Sequence, residues 1–427
     1  MTLRSEGYLP RLIDGKLSRC LSIFGAVNLT GPKWCGKTWA AYNCCNSAML
    51  IADPKGDYQN RRLAMMDPTL IFDDNMPQLI DEWQDVPSIW DAIRYRIDDV
   101  GKKGMFVLTS SATPNREGFV HSGTGRIKDL HMSTMTLLQR NISDGSVSLA
   151  KLFDRPDISF RTSGTSLKAV IEYTIHGGWP ETIDKSANDS LEIVRGYIET
   201  LLKNDISFDG TRRNPKVMGR LIRSLARNES TTASKKALKR DMLENTDDAS
   251  ISDNTLSDYL SALENLHFTD NQLSFDPNVR SSVRVGKTPV RHLTDPSLVA
   301  AAMGMNTESY LNDLKTFGFL FESLCVHDLK VYAMMCDGKV LHYRDGDGSE
   351  IDAIVELPDE RWGAFEIKTG AGEIEDGARS LLKMDRKIRN QENGRPPTFM
   401  CVICGMTDAA YRRDDGVYVI PPTVLGP

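Results

Sequence analysis

The sequence predicts an α/β chain in three parts: a parallel-sheet domain first, a helical middle, and a smaller α/β domain at the end. Three observations carry this. A glycine-rich loop, Gly31-Pro32-Lys33-Trp34-Cys35-Gly36-Lys37-Thr38, stands between a short apolar run, Ala26 to Leu29, and a helical start at Thr38-Trp39-Ala-Ala-Tyr42. Residues 211–240 carry ten Lys or Arg against one acid, Glu229, with apolar residues at helical spacing. From about Lys315 the pattern becomes helix, strand, hairpin, strand, helix, with Asp345-Gly-Asp-Gly348 as the turn signal.

A chain of 427 residues holds several domains with well-buried cores. The expected divisions are a core over 1–160, a helical lid over 161–210, a third unit over 211–300 and a last one over 301–427. The balance of 52 basic and 58 acidic residues leaves a net charge of −6, so no global field draws the chain to nucleic acid and any such contact must be local. No apolar run reaches the ~18 residues of a membrane span, and Met1-Thr-Leu-Arg-Ser-Glu6 lacks a leader-type apolar stretch. A cytoplasmic protein without membrane contact is expected. The eight cysteines agree: Cys44 and Cys45 are adjacent, and Cys401-Val-Ile-Cys404 lies in an apolar run without a second such pair, which reads as buried thiols rather than zinc ligands.

The first loop is a complete G-x-x-x-x-G-K-[ST] P-loop. Its spacing is mechanical: glycines let backbone N–H groups wrap phosphates, Lys37 reaches the β and γ oxygens, and the Thr38 hydroxyl ligates Mg²⁺. Residues Gly31 to Trp39 are the expected nucleotide contacts, at a helix N-terminus that favours anions. The acidic partner is Gln78-Leu-Ile-Asp81-Glu82-Trp-Gln84, in which Asp81 holds the Mg²⁺ through water and Glu82 polarises the attacking water. The next strand, Gly104 to Ser111, ends in hydroxyls. Thr109 or Ser110 is a candidate γ-phosphate sensor there, or the end of an ordinary strand. Ser122-Gly-Thr-Gly125-Arg126 offers Arg126 as an arginine finger, in cis or from a neighbouring subunit of a homo-oligomer, or as a solvated loop cation.

This order of motifs resembles the AAA+-type ATPases of bacteria and archaea whose C-terminal half is a domain of unknown function. The resemblance spans nearly the whole chain and implies ATP as the ligand. It assigns Asp81, Glu82 and Gln84 to the acidic box and Arg126 to the Gly-Arg loop. It maps a Gly-x-Pro lid element onto Gly178-Trp-Pro180, where Pro180, with a rigid ring and no N–H, packs against adenine. An ordinary Gly-Pro turn is the plain alternative.

In the middle, Lys216 to Arg227 has helical spacing, a Ser/Thr-rich turn follows at Ser230–Ser234, then a short basic helix. A third helix over Ile251–Leu266 has Ser252 or Asp253 as N-cap. With strand material expected over His267–Phe275 and Val283–Leu293, this reads as a winged helix. Such a module contacts DNA through its third helix. Here that helix offers Asp253, Asn254, Ser257 and Asp258, a poor set for a polyanion, so a lid that relays nucleotide state stands beside DNA contact.

In the last part Glu322 is set into the apolar helix Phe317 to Leu329. Glu366 and Lys368, two apart on a strand, face one side, and a hairpin centred near Asp359 sets Asp352 opposite Glu366. Two carboxylates and a lysine suit a Mg²⁺-dependent phosphodiesterase. The set resembles the PD-(D/E)xK nuclease fold, which implies Glu322, Asp352 and Glu366 as metal ligands and Lys368 as the catalytic cation. A salt-bridged strand face and an inactive domain that holds ends or junctions are the other readings. Two functions follow: an ATP-hydrolysing protein acting on duplex or branched DNA, or a nucleotide-dependent switch whose last domain is structural. A small-molecule kinase is disfavoured, since nothing marks a lid for an acceptor.

Overall fold

The computed structural model describes residues 7–113, 122–243, 251–391 and 394–427. Its first sheet comprises β1 (Ala26–Thr30), β2 (Ser47–Leu50), β3 (Gln78–Asp81), β4 (Phe106–Ser110) and β5 (Ile127–His131), in spatial order β2-β3-β4-β1-β5. Every pairing is parallel. A parallel sheet needs both faces covered, and strand alternation supplies two apolar faces. Val27, Leu29 and Val107 pack with Ile13, Leu17 and Ala40; Ala26, Phe106 and Leu108 pack with Ile89, Ile93 and Ile97. The covering helices are Ile13–Ile23, Lys37–Cys44 and Ser88–Val100. Parallel strands bring all carboxyl ends to one edge, which is where the loops after β1, β3 and β4 meet.

The middle is helical. Helices Leu167–His176 and Ala187–Thr200 start at Ser166 and Ser186, whose hydroxyls accept the N–H of Ala169 and Asp189. A π-helical turn, Leu201–Asp205, extends the second. Three more helices follow, Pro215–Arg227, Lys235–Leu243 and Asp253–Asn265, the last capped by Ser252. Their apolar residues, among them Leu221, Leu238 and Leu260, enter one core that continues into the long helix Leu314–Met335.

Beyond the third helix the chain pairs in isolated bridges: Thr269 with Leu293 and Gln272 with Val290 antiparallel, and Ser274 with His342 parallel. The strand expected from Val283 is instead a helical turn, Val283–Gly286. There Arg284 binds both carboxylate oxygens of Glu356 at 2.9 Å, and this bidentate pair holds the turn against the C-terminal sheet.

Short strands β6 (Val147–Ser148) and β7 (Ser159–Arg161) precede the lid. The C-terminal strands are β8 (Lys339–Arg344), β9 (Glu350–Glu356), β10 (Trp362–Lys368), β11 (Phe399–Cys404), β12 (Ala409–Arg412), β13 (Tyr418–Ile420) and β14 (Leu425–Gly426). Six of them join β7 in a mixed sheet of order β7-β12-β13-β11-β10-β9-β8, while β6 pairs with β14. The expected boundary at residue 160 therefore cuts through a segment that belongs with the last domain, because β7 supplies the edge partner that β12 lacks locally. The boundary at 301 also moves: helix Pro296–Met303 packs on Ala187–Thr200 and Pro215–Arg227.

Helix Leu314–Met335 covers one face of the mixed sheet, over Ala353, Val355 and Phe365. Helix Ile374–Arg389 covers the other, over Ile354, Ala364 and Val402. Among the described residues no helix is long and apolar enough to cross a membrane.

Candidate functional site

The P-loop leaves β1 at the carboxyl edge of the first sheet. Gly31 has φ 151°, and a Cβ there would meet the Met132 carbonyl oxygen at 2.1 Å, so only glycine fits. Gly36, at φ 100°, is the N-cap of helix Lys37–Cys44. Lys37 is buried, and its Nζ donates to the carbonyls of Gly31 and Pro32 at 2.9 and 2.8 Å. Cys35 is buried against Met132, while Trp34 and Trp39 stay about half exposed.

Thr38 Oγ1 donates to Asp81 Oδ1 at 2.7 Å, and Thr109 Oγ1 donates to the same oxygen at 2.7 Å. Burial pushes the Asp81 carboxyl up, against the two hydroxyl bonds that favour its charged form. A hydroxyl and a carboxylate at this separation fit the donor set of a hard divalent cation. Glu82 has φ 55°, a left-handed position, and its carboxylate accepts from Ser111 Oγ at 2.8 Å and from the Gln84 amide. Thr109 and Ser111 thus touch the acids, whereas Ser110, between them, points the other way in the alternating strand and is fully buried. The hydroxyl contacts at this strand end belong to Ser110's two neighbours.

Two adjoining cavities open at this edge. The larger, about 850 Å³, is lined by Lys33, Lys37, Thr38, Glu82 and Glu181; the smaller, about 250 Å³, by Tyr8, Leu9, Arg11 and Met135. Gly36, Trp39, Pro180 and Glu181 line both. Pro180 stands on the wall that the two cavities share. Tyr8, Arg11 and Met135 were not legible as site residues: Arg11 precedes the first helix with no motif around it. Its buried guanidinium donates to the Cys35 carbonyl at 2.5 Å and the Ser133 carbonyl at 2.7 Å, bracing the P-loop from behind.

The lid touches the loop directly. Lys33 pairs with Asp205 of the π-helical turn at 2.6 Å, and Trp34 lies 5.6 Å from Tyr197. The Gly177–Pro180 turn is held by both neighbours. Gly178 N–H donates to Asp295 at 2.9 Å, its carbonyl accepts from Met135 N at 2.7 Å, and a Cβ on it would meet the Met135 carbonyl oxygen at 2.1 Å.

Arg126 is at the wrong edge to serve its own P-loop. Ile127 pairs with Ala26 at the start of β1, while the loop leaves the far end, where Thr30 pairs with His131. At ~3.3 Å per residue the sheet separates the two by about 13 Å. The Arg126 side chain instead binds Asp98 at 2.8 Å and is 48 % exposed, which removes the cis arginine finger and leaves the neighbouring-copy and loop-cation readings.

The second candidate site has the register expected of it. Trp362 pairs with Glu356 and Phe365 with Ala353, which sets Asp352 opposite Glu366. Lys368 Nζ is 2.6 Å from Glu366 and 3.7 Å from Asp352, and Asp352 also accepts the Ile367 N–H at 2.7 Å. Glu322 and these three line one pocket of about 370 Å³, with Arg344 and Thr232 joined at 2.5 Å beside it. Burial, then the Asp352 charge, pushes the Glu366 carboxyl up to about 8 and raises Glu322 well above the carboxylate range. Burial pulls the Lys368 ammonium down, but Asp352 and Glu366 outweigh it and hold it above its ordinary value. Three buried carboxylates around one pocket suit a divalent cation chemically. As arranged, Lys368 bridges Asp352 and Glu366, and among the described residues no cluster of three or more His, Cys, Asp or Glu forms a ready metal cage.

Several bases of the middle pair within the chain, while Lys216 and Arg223 stay exposed. Arg213 binds Asp209 and Asp258 at 2.8 Å, Arg227 binds Asp241 at 2.6 Å, and Lys239 binds Asp253 at 2.9 Å. The acids of the third helix thus meet bases of this chain rather than opposing a polyanion.

A buried polar chain joins the end of the first sheet to the helix that carries Glu322. Ser133 and Thr134, just beyond β5, lie 3.0 and 2.9 Å from His327 Nε2, and His327 Nδ1 lies 2.9 Å from Asp328. His327 and Glu322 share the helix Leu314–Met335.

Residues 24–139 match the family model described as an AAA domain. Residues 167–309 and 317–425 match two families described as domains of unknown function, DUF8612 and DUF4143. The uncharacterized proteins Mb2031c of Mycobacterium bovis and Rv2008c of Mycobacterium tuberculosis are each 25% identical over 372 residues, 86% of this chain and 76% of theirs. Among solved structures, the Walker-type ATPase PABY2304 of Pyrococcus abyssi aligns with TM-score 0.45 at 12% identity, covering 70% of this chain and 97% of that one. The Aeropyrum pernix ORC2 protein aligns with TM-score 0.31 at 10% identity, over 76% and 97%. With its P-loop, acidic box and matching N-terminal model, the chain carries an AAA-type ATPase domain and is an ATPase.

Proposed function

We propose that this ATPase binds ATP with Mg²⁺ and directs hydrolysis toward DNA, which a nuclease-like C-terminal domain binds or cuts. Thr38 and Asp81 hold the cation, which supplies charge neutralisation at the phosphates. Lys37 exchanges its two loop carbonyls for phosphate oxygens, and Glu82, positioned by Ser111 and Gln84, orients water. Pro180 and Trp39 line the base side. Arg126 serves a neighbouring copy in a homo-oligomer, where its exposed edge position becomes useful. The three middle helices with their antiparallel bridges act as a winged-helix-like relay, because the third helix carries no Lys or Arg for a groove and its Asp253 and Asp258 pair with Lys239 and Arg213.

The observation that carries the DNA reading is the convergence of Glu322, Asp352, Glu366 and Lys368 in one pocket beside Arg344. Carboxylates for a metal and bases for phosphate are what phosphodiester chemistry needs. The test is binding of duplex and branched DNA across a salt series, with a Mg²⁺/Mn²⁺ cleavage assay on the wild type and Lys368→Ala. Affinity that falls steeply with salt supports the reading; no binding to any DNA at low salt sinks it.

A second reading has its own support. Lys368 bridging Glu366 and Asp352 makes a self-satisfied ion cluster, as a structural domain of a nucleotide-dependent switch requires. Cleavage lost in Lys368→Ala favours the first reading; ATP-dependent changes without DNA binding favour the second.

A further inference from the structure

A groove of about 650 Å³ lies between helix Ala187–Thr200 with its π-helical extension and helix Pro215–Arg227, reaching helix Pro296–Met303. Its floor is aliphatic: Ile198, Leu202, Ile222 and Ala301. Its rim is basic, with Arg195 and Lys203 on one side and Lys216 and Arg223 on the other. Arg195 and Lys203 make only exposed ion pairs, with Glu192 at 3.3 Å and Glu199 at 3.4 Å, which hold little in water. Lys216 and Arg223 are exposed. In a chain with net charge −6 this is a local excess of positive charge over an apolar surface.

Gly219 gives an independent indication. A glycine inside a helix costs about 1 kcal/mol relative to alanine. A Cβ on Gly219 would meet only Leu202 Cδ1 at 3.5 Å, an ordinary contact, so packing within the chain does not demand it. The missing side chain opens the groove opposite Leu202. Leu202 itself lies in the π-helical turn, a feature that often marks functional positions. The same turn carries Asp205, which holds Lys33 of the P-loop.

We propose that this groove docks an acidic amphipathic helix of a partner protein. Aliphatic side chains at i, i+3, i+4 and i+7 fill the floor at Gly219, and flanking Glu or Asp residues meet Lys216 and Arg223. Nucleic acid is the weaker occupant: the floor has no aromatic ring for a base to stack on, and its aliphatic surface offers nothing to phosphate. An occupant presses on the turn that holds Lys33, so docking reaches the ATPase site.

The test is fluorescence anisotropy of the full chain with a labelled helical peptide carrying leucines at that spacing between glutamates, against a scrambled peptide and a labelled DNA duplex. The wild type is expected to bind the helical peptide and not the scrambled one. Gly219→Leu, which fills the groove, and the double variant Lys216→Glu/Arg223→Glu are each expected to weaken it by about tenfold or more. ATP turnover stays near wild type in both, showing that they fold. Failure of any acidic helical peptide to bind, or equal affinity for wild type and Gly219→Leu, overturns the proposal. So does duplex binding that the double variant abolishes and the peptide cannot displace, which would assign the patch to nucleic acid.

Discussion

Thr134 Oγ1 donates to Asp295 Oδ2 across 2.6 Å, joining the segment after β5 to the N-cap of a helix 161 residues away. Asp295 is almost wholly buried and also accepts the N–H groups of Gly178 and Ser297, each at 2.9 Å. One carboxylate therefore fixes the nucleotide domain, the lid turn and the middle domain together. Removing a buried acceptor leaves its donors unpaired, at a cost of about 1–3 kcal/mol for each. Asp295→Ala is expected to lose stability of that order in urea unfolding and to slow ATP turnover, because the Gly178 turn carries Pro180.

Gly178→Ala probes the same junction without touching charge. Its new Cβ would stand 2.1 Å from the Met135 carbonyl oxygen, and neither backbone can yield without breaking the 2.7 Å bond between Met135 N and Gly178 O. A destabilisation of more than about 2 kcal/mol is expected. Thermal unfolding checks it, and a variant as stable as wild type would show that the turn is not locked.

Lys37→Ala removes the ammonium beneath the loop, and Glu82→Gln keeps shape while removing charge. Both are expected to lower phosphate release by at least about 100-fold. They differ in binding: Lys37→Ala loses nucleotide affinity, whereas Glu82→Gln retains it, as equilibrium dialysis with labelled ATP would reveal. Normal hydrolysis in either removes the role given to that residue.

Arg126→Ala separates the two remaining readings of that residue. An arginine that serves a neighbouring copy makes turnover per chain rise with protein concentration in wild type and stay flat in the variant. A loop cation leaves both profiles alike. Among the described residues Arg126 pairs by side-chain charge with exposed Asp98 alone, so the variant should fold normally.

Glu366 sets a pH dependence with a definite sign. Its carboxyl titrates near 4.5 when unfolded and near about 8 when folded, so between these values the folded chain holds a proton that the unfolded chain has released. The stability this contributes is fully present below 4.5 and is lost as pH rises through the window to about 8. The urea midpoint should fall across that window, and Glu366→Gln should flatten the fall.

How much of this was legible in the sequence depends on the range of the interaction. The P-loop, the acidic box and the hairpin register of Asp352 and Glu366 could be read directly, because each is set by local backbone geometry: glycine's freedom at φ 151° and 100°, a strand end, a turn of fixed length. The winged-helix strands were over-read, since the pattern at Val283–Leu293 could not show that Arg284 would be captured by Glu356. The basic run at 211–240 looked like a nucleic-acid face, yet its partners Asp209, Asp241, Asp253 and Asp258 lie outside the run or at its edge.

The sequence alone thus determined the order of domains and the chemistry each site can hold, since residue type and short spacing decide both. Tertiary structure decided which edge of the sheet Arg126 occupies, that Tyr8, Arg11 and Met135 line a cavity beside the P-loop, and that β6 and β7 pair with strands of the last part of the chain. Strand order and long-range burial fix those positions, and neither is written in any local stretch of the chain.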